Sequence, residues 1–346
     1  MDSSKVKVVV DAMGGDYAPL NVIKGAFEAL KLKSKQLELI LVGNENKIIE
    51  ELKRNNIDKN LFSIIDAPDT ITMHDSATSA IKSKQNSSIV VGINLLKEKK
   101  ADAFISAGNT GAVMTAATLI LGRLKGISRP TIGATLPSQK GSVLLVDAGA
   151  NVECKPNFLY EFAIMSSIFV ENTQNIKNPS IGLLSIGEEK SKGNNLILET
   201  NALMRNSNLN FVGNVEGSDI FGGKCDVVIC DGYTGNILLK FAEGFLPLLK
   251  NTIRNYSSKS IFHKLWSGLI AITLKKLLKK YDYQEHGGVP LLGVNGTVII
   301  GHGKSTPKAI KNMIFAGVEM YKKDNNKKIE DKIIENQNQK LKWIIK

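Results

Sequence analysis

Strand-like and helix-like stretches alternate along almost the whole of this 346-residue chain. Short apolar runs predict strands at 37–43, 101–106, 142–147, 180–186, 210–215 and 226–231. Between them, the sequence predicts helices at 21–33, 110–125, 158–171, 195–205 and 234–251. Alternation of this kind predicts an α/β fold, with a largely parallel sheet and helices on both faces.

The length suits one α/β catalytic domain over residues 1–325, of one or two lobes. Neither an internal repeat nor a low-complexity linker divides it. Residues 326–346 form a tail rich in Lys and Asn, which we expect to end as a helix with a frayed end.

Composition excludes several classes of protein. The apolar share of 43% and the charged share of 23% are those of a soluble globular protein, and the first residues have no apolar segment that would direct export. Three cysteines form no CxxC pair, and four histidines show no ligand spacing. We therefore expect no metal and no cofactor, and we expect Cys225 and Cys230 to be buried thiols.

The formal net charge of +12 favours an anionic partner. No nucleic-acid-binding motif is present, and aromatic residues make up only 6% of the chain, so we expect no nucleic-acid partner. A coding bias towards Lys, Asn and Ile would account for part of this charge.

The first predicted strand ends in a turn that suits a ligand. Valines at 6 and 8–10, with Lys7 between them, lead into Asp11, which is followed by Gly14, Gly15 and Asp16. Glycines allow a positive φ and leave no Cβ in the way of a ligand, and Pro19 suits the start of the next helix. The alternative is a tight turn that binds nothing.

Four more predicted strands end in small and polar residues, at 106–111, 147–151, 186–193 and 231–236. In a parallel sheet such tips meet at one edge, which predicts that all five loops share one site. Backbone NH groups, helix N-termini, amides and a lysine are suited to a phosphate or another oxyanion. The alternative for each aspartate in these loops is a purely structural role, in which its carboxylate only stabilises the loop.

Familiar nucleotide and nucleophile signatures are missing. The chain has no GxxxxGK[ST], no GxGxxG after the first strand and no GxSxG. We therefore expect a substrate to act as the nucleophile, while the protein positions it and stabilises charge.

Six collinear segments resemble the bacterial phosphate acyltransferases of the PlsX family, over residues 6–320. They are DAMGGD (11–16), SAGNTGA (106–112), DAGAN (147–151), GEEKSKG (187–193), CDGYTGN (230–236) and GVNGTVIIGHG (293–303). The resemblance implies transfer of a long-chain acyl group from acyl-acyl-carrier-protein to inorganic phosphate, giving acyl phosphate for phospholipid synthesis. An acyl-CoA-dependent phosphotransacetylase-type enzyme and a non-catalytic membrane scaffold are the alternatives.

The same resemblance implies a fold similar to isopropylmalate dehydrogenase and phosphotransacetylase, with a protruding helical hairpin. It also implies a cytoplasmic homodimer that attaches peripherally to membranes, accepts an acidic acyl carrier protein and supplies a downstream glycerol-3-phosphate acyltransferase. Three positions depart from the family pattern. Ala77 and Lys82 stand where Pro and Arg are usual, and Ile300 replaces a basic residue.

Roles for individual residues follow from the resemblance and from the chemistry of phosphate attack. Lys192 is the first choice to neutralise the oxyanion, near the amides of the catalytic candidates Asn109 and Asn236. His302 either protonates the departing thiolate or caps a strand end. The phosphate-binding candidates are Asp11, Gly14, Gly15, Asp16, Thr110, Gly111, Asp147, Asn151, Asp231, Gly232, Thr234 and Gly235. The aspartates would repel phosphate directly, so we expect them to orient donor groups.

A basic amphipathic insertion at about 257–283 interrupts the α/β pattern. Lysines alternate with apolar residues there, and its longest uncharged stretch is too short to cross a bilayer. We expect Leu265, Trp266, Leu269 and Ile270 to contact an anionic membrane surface. A core helix or a dimer-interface helix is the alternative.

Overall fold

The computed structural model describes residues 5–257 and 287–344. Its strands form a single eleven-stranded sheet in the order β3-β2-β1-β4-β11-β10-β5-β6-β9-β7-β8. The strands are β1 (Val6–Asp11), β2 (Leu37–Gly43), β3 (Ser63–Asp66), β4 (Ala103–Ser106), β5 (Thr131–Ser138), β6 (Gly141–Val146), β7 (Ile181–Leu184), β8 (Phe211–Val215), β9 (Val227–Ile229), β10 (Val289–Leu292) and β11 (Thr297–Ile300).

The sheet contains two parallel groups that run in opposite directions. Strands β3, β2, β1, β4 and β11 pair in parallel, as do β6, β9, β7 and β8. Antiparallel pairing joins β11 to β10, β10 to β5 and β5 to β6, so the direction reverses three times between the groups.

The prediction that all five strand tips leave one edge of a parallel sheet is therefore wrong. The carboxyl ends of β1 and β4 point away from those of β6, β7 and β9. The physical cause is the hairpin of β5 and β6, in which Ser138 pairs with Gly141 across a two-residue turn. The apolar pattern predicted β6 but neither β5 nor β10, and it carried no information on strand direction.

The predicted helices are all present, with shifted ends. The described helices are Leu20–Lys33, Glu45–Arg54, Ala77–Ser83, Ser88–Lys97, Thr110–Ala116, Pro156–Gln174, Asn195–Arg205, Gly217–Gly222, Gly232–Ser257, Pro307–Lys322 and Asn325–Ile344, with a 3₁₀ turn at Lys59–Leu61 and a π turn at Ala117–Leu121. The helix predicted at 110–125 ends early, because the π turn leads into Gly122 at φ +79°. The last helix covers most of the predicted tail.

Both faces of the sheet are buried, which explains the continuous apolar strands. One large core packs helices Leu20–Lys33, Pro156–Gln174 and Pro307–Lys322 against the sheet. A second core contains side chains of Ser88–Lys97 and Thr110–Ala116. Burial on both faces is typical of strands covered by helices on either side, as the sequence predicted.

The insertion predicted at 257–283, including the four membrane candidates, lies outside the described residues apart from Ser257. Among the helices of residues 5–257 and 287–344, none has the length and apolar character needed to cross a membrane.

Candidate active site

Three neighbouring strands of the second parallel group lead directly into helices. Strand β6 is followed by Pro156–Gln174, β9 by Gly232–Ser257 and β7 by Asn195–Arg205. The first turns of Asn195–Arg205 and Gly232–Ser257, together with the loop before Pro156–Gln174, border one cleft of about 490 Å³. Its lining residues are Val152, Glu153, Cys154, Asn194, Leu196, Asp231, Tyr233 and Thr234. A helix N-terminus carries partial positive charge, so two of them at one cleft favour an anion.

Asp147 shapes the loop that follows β6. Its buried carboxylate accepts hydrogen bonds from the backbone nitrogens of Gly149 (3.1 Å), Ala150 (2.5 Å) and Asn151 (2.9 Å), and from Asn151 Nδ2 (2.7 Å). Burial raises the pKa of Asp147 to about 6, although these hydrogen bonds oppose the rise. The carboxylate oxygens thus face loop donors, in agreement with an orienting role.

Asp231 plays a similar part at the start of helix Gly232–Ser257. Its carboxylate accepts the backbone NH of Thr234 at 2.9 Å and the Thr234 hydroxyl at 2.8 Å. This is an N-capping arrangement, which satisfies helix donors that have no partner within the helix. Asp231 therefore presents the first turn of the helix to the cleft.

Close contacts join these two loops into one unit. The backbone NH of Gly232 donates to the Asn151 carbonyl at 2.8 Å, and a Cβ built on Gly149 would lie 3.3 Å from the Cβ of Asn236. A Cβ on Gly235 would collide with the Asp147 carbonyl oxygen. We call this unit the Asp147 cluster. It contains Asp147, Gly149, Asn151, Asp231, Gly232, Thr234, Gly235 and Asn236.

Lys192 lies on the loop after β7, at the same edge of the sheet as the Asp147 cluster. Its backbone NH donates to the Glu189 carbonyl at 3.0 Å, and its carbonyl accepts Ser185 Oγ at 3.2 Å. Its side chain is exposed. Two residues later Asn194 lines the cleft and caps helix Asn195–Arg205 by accepting the NH of Ile197.

A second unit lies at the carboxyl ends of β1, β4 and β11. Asp11 is buried and accepts the Ser106 hydroxyl at 2.6 Å and the Met13 NH at 3.0 Å. Burial raises its pKa. The Asp16 NH donates to the Gly303 carbonyl at 2.8 Å. We call Asp11, Gly14, Gly15, Asp16, Ser106, Gly108 and Gly303 the Asp11 cluster.

Glycine is required at the two positions after β1, Gly14 and Gly15, for different structural reasons. Gly15 adopts φ +107°, as predicted for a turn glycine. Gly14 does not have a positive φ, and the prediction was wrong on this point. Its Cβ would lie 2.8 Å from the Gly108 nitrogen and 2.5 Å from Asp11 Oδ2, so close packing of two loops requires glycine there.

Asn109 has its side chain engaged in structure. Its Oδ1 accepts the NH of Ala112 at 3.0 Å, which caps the helix that starts with Thr110 and Gly111. Its Nδ2 donates to the carbonyls of Thr72 and Asp75, both at 3.1 Å. Asn109 therefore joins the loop before helix Ala77–Ser83 to the start of helix Thr110–Ala116, on the side of the sheet where the Asp11 cluster lies.

The loop that Asn109 holds carries an ion pair that sequence reasoning missed. Lys84 Nζ lies 2.7 Å from Asp75 Oδ2, and the Thr72 NH donates to the same oxygen at 2.6 Å. Bonding to Lys84 and Thr72 lowers the pKa of Asp75 to about 2. Neither residue belongs to a recognisable motif, so only their proximity in space reveals the pair.

Helix Gly232–Ser257 connects the two clusters. It starts in the Asp147 cluster, and its Glu243 carboxylate lies 3.9 Å from Nε2 of His302, next to Gly303. His302 Nδ1 accepts the NH of Lys304 at 3.0 Å. On the same helix, Leu239 packs with Ala150 against the second core. Asn109, which follows β4, thus lies on the side of the Asp11 cluster, whereas Asn236 belongs to the Asp147 cluster. The convergence of both with Asn151 and Lys192 on one cavity stays a prediction.

The structure shows the surroundings of two residues that depart from the family pattern, Ile300 and Ala77. Ile300 is only 1% exposed and packs in the second core, so this position offers no anion contact. Ala77 starts helix Ala77–Ser83, and a Cβ on Gly111 would lie 3.2 Å from the Ala77 Cβ.

The cysteines have no feature of a nucleophile. Cys225 and Cys230 are buried, as predicted, and burial raises the pKa of Cys225 to about 11 and raises the pKa of Cys230 well above its usual value. Within the part of the chain that the structure describes, no three His, Cys, Asp or Glu side chains are grouped to hold a metal ion.

Sequence reasoning missed several residues that line or support the cleft. Glu153, Cys154 and Tyr233 line it, and the Pro130 carbonyl accepts Asn151 Nδ2 at 2.8 Å. Glu153, Cys154 and Tyr233 adjoin motifs that were identified, so extending each motif by a few residues would have found them. Pro130 is distant in sequence from Asn151 and gave no signal.

Comparison with known proteins places the chain among acyltransferases. Residues 6–328 match the family model described as "Fatty acid synthesis protein". The chain is 47% identical to the phosphate acyltransferase of Dictyoglomus turgidum, over 94% of this chain and 96% of that protein. It is 48% identical to the phosphate acyltransferase of Halothermothrix orenii, over 92% of this chain and 96% of that protein.

Solved structures show the same fold at low sequence identity. EutD phosphotransacetylase from Staphylococcus aureus superimposes with a TM-score of 0.59 and 15% identity, over 92% of this chain and 95% of that chain. A branched-chain phosphotransacylase from Enterococcus faecalis superimposes with a TM-score of 0.57, 15% identity and 91% and 99% coverage. The family match and the closely similar relatives together show that this chain is an acyltransferase of the phosphate acyltransferase family, in fatty acid and phospholipid synthesis.

Proposed function

We propose that this enzyme transfers a long-chain acyl group from acyl-acyl-carrier-protein to inorganic phosphate, releasing acyl phosphate and free carrier protein. The observation that supports this most is that the N-termini of helices Asn195–Arg205 and Gly232–Ser257 meet at one cleft beside the Asp147 cluster. Such a cleft suits a phosphate dianion, which must be bound before it can attack.

In the proposed reaction, a phosphate oxygen attacks the thioester carbonyl carbon and the carbon–sulfur bond then breaks. Negative charge builds up on the carbonyl oxygen while the phosphate charge is still present, so the site needs several positive groups. We assign this role to Lys192, to the side-chain amide of Asn236, and to the first turn of helix Gly232–Ser257. Asn151, whose Nδ2 hydrogens go to Asp147 and to the Pro130 carbonyl, holds the loop in place. Asp11, Asp147 and Asp231 orient the loops.

The departing thiolate takes up a proton, and His302 is the proposed donor. Glu243 Oε2 lies 3.9 Å from its Nε2. The proton would come from Nε2, because Nδ1 accepts the Lys304 NH. His302 belongs to the other strand group, so this role requires both clusters to contribute to one reaction.

The acyl donor is the part of the proposal that a direct assay decides. The net charge of +12 favours an acidic carrier protein. The purified enzyme is incubated with phosphate and either palmitoyl-acyl-carrier-protein or palmitoyl-CoA, and acyl phosphate is trapped with hydroxylamine. We expect product from the carrier-protein substrate and much less from the CoA thioester. Preference for CoA would indicate a phosphotransacetylase-type enzyme, and no product from either would indicate a non-catalytic scaffold.

We further propose that the enzyme is a cytoplasmic homodimer that binds membranes peripherally and supplies acyl phosphate to a glycerol-3-phosphate acyltransferase. Exposed apolar side chains recur every three or four residues along helix Gly232–Ser257, at Ile237, Phe241, Phe245 and Leu248, each at least 50% exposed. An apolar stripe of this kind favours a partner surface. Light scattering coupled to size-exclusion chromatography measures the oligomeric state.

A further inference from the structure

Hydrogen bonds join the loop before β5 to helix Pro156–Gln174. Ser128 donates its backbone NH and its hydroxyl to the Glu161 carboxylate, both at 2.7 Å. Arg123 Nη1 donates to the Ser128 carbonyl. Glu161 lies in helix Pro156–Gln174. These bonds hold the next residue, Arg129, at a set position beside the start of that helix.

Two observations place Arg129 beside the loop that borders the cleft. Its guanidinium carbon lies 6.0 Å from the ring centroid of Phe158, in the first turn of Pro156–Gln174. Pro130, the next residue, accepts Asn151 Nδ2 from the Asp147 cluster, and Asn151 directly precedes the lining residues Val152, Glu153 and Cys154.

The side chains that line the cleft include acids but no bases, so an anionic substrate needs a cation nearby. The lining includes the acids Glu153 and Asp231, and neither Lys nor Arg is among the lining residues. The two helix N-termini at the cleft offset these carboxylates in part, since each contributes about half an elementary charge. A phosphate dianion would still need a formal positive charge beside it.

We propose that Arg129 is a further catalytic residue of this enzyme, which binds the attacking phosphate at the margin of the cleft. This inference rests on the proposed function, because it assigns the phosphate to the cleft of the Asp147 cluster. A guanidinium presents two parallel NH donors to two phosphate oxygens, whereas an ammonium acts as a point charge. The ring of Phe158 supports the guanidinium and limits its orientations.

The test compares Arg129→Lys and Arg129→Met with Lys125→Met as the matched control. Lys125 is exposed on the same loop, so its replacement removes the same charge nearby. Binding of inorganic phosphate to each protein is followed by ³¹P NMR line broadening, and the KM for phosphate and for the acyl donor is measured separately. Thermal unfolding monitors the fold.

For Arg129→Met we expect phosphate binding to weaken by about tenfold or more, since hydrogen bonds to charged groups contribute strongly. The KM for phosphate should rise by a similar factor, with a smaller change in the KM for the acyl donor. Arg129→Lys should recover part of the loss, and Lys125→Met should behave like the wild type.

Equal phosphate binding by the wild type and Arg129→Met would overturn the inference, as would an equal loss in Lys125→Met. Equal loss by the Lys and Met variants would still support the inference, and it would show that the paired NH donors of the guanidinium, rather than charge alone, bind the phosphate. The phosphate-binding measurement needs no acyl donor. If the wild type forms no acyl phosphate but binds phosphate through Arg129, the proposed function fails and this assignment stands.

Discussion

Asp147 and Asn151 form a closed hydrogen-bonded pair, in which one carboxylate accepts both the backbone and the side-chain nitrogen of the same asparagine. The second hydrogen of Asn151 Nδ2 goes to the Pro130 carbonyl. The pair therefore links the loop after β6 to the loop before β5, and Arg129 lies beside this link. A buried carboxylate holds together the loops that we propose to bind phosphate.

The titration of Asp147 predicts a pH-dependent stability. Its pKa is about 6 in the folded protein and 3.8 as the ordinary value. Because the folded pKa is raised, the stability that the protonated form contributes is fully present below about pH 3.8 and is lost as pH rises through about 6. The loss amounts to about 3 kcal/mol, at 1.36 kcal/mol per unit.

Asp147→Asn should remove this dependence. The free energy of unfolding is measured by urea titrations at pH 4, 5, 6 and 7. Across this range it should fall by about 2 kcal/mol less in the variant than in the wild type, because at pH 4 the carboxyl of the unfolded chain has already lost about half of its protons. Asp11, whose pKa burial also raises, is present in both proteins and cancels in the difference. Parallel profiles for the two proteins would show that Asp147 does not titrate here.

Lys192→Ala should lower turnover by more than about tenfold, the effect of losing about 1.4 kcal/mol of transition-state stabilisation. Lys190→Ala is the control, since Lys190 is also exposed on the same loop. Both are assayed for acyl phosphate at saturating phosphate. Near-wild-type turnover by Lys192→Ala would exclude the lysine from the mechanism.

Two glycines of helix Gly232–Ser257 make a matched pair. Gly235→Ala should disrupt the site, because the new Cβ would collide with the Asp147 carbonyl, and phosphate binding should be lost. In Gly244→Ala the new Cβ has no atom within 4 Å. This change should raise the free energy of unfolding by up to about 1 kcal/mol, because alanine has a higher helix propensity than glycine. Thermal unfolding and activity are measured for both, and wild-type activity in Gly235→Ala would contradict the packing described here.

The membrane proposal concerns residues 257–283. The double change Trp266→Asp and Leu269→Asp should abolish co-sedimentation with anionic liposomes, while acyl phosphate synthesis without lipid survives. Salt should weaken wild-type binding, because nearby lysines each contribute about 1 kcal/mol at an anionic surface. Undiminished binding by the variant would contradict the proposal, and loss of folding or of the dimer would show that the segment is part of a core or interface.

Local patterns in the sequence were enough to predict the elements and much of the candidate site. Short β-branched runs and helical periodicity depend on neighbouring residues only, so the strands β1, β2 and β6 and the helix Asn195–Arg205 were found close to their observed ends. Capping is local as well. Asp231 and Asn109 each bind a backbone NH three residues later, and both lie in segments identified from their small and polar residues.

Only the tertiary structure decided in which direction each strand runs and which residues of different elements come into contact. Strand direction depends on the hairpin of β5 and β6, whose hydrogen bonds form between strands and leave no trace in the apolar pattern of either one. Gly14 looks like a turn glycine, yet it is required by the approach of Gly108 from another strand. Arg129 belongs to no motif, and the role that we propose for it depends on its contact with Phe158 and on the bond from Asn151 to its neighbour Pro130. The sequence by itself determined which residues end the strands, because those signals are local, and the packed sheet determined which of these ends share a site.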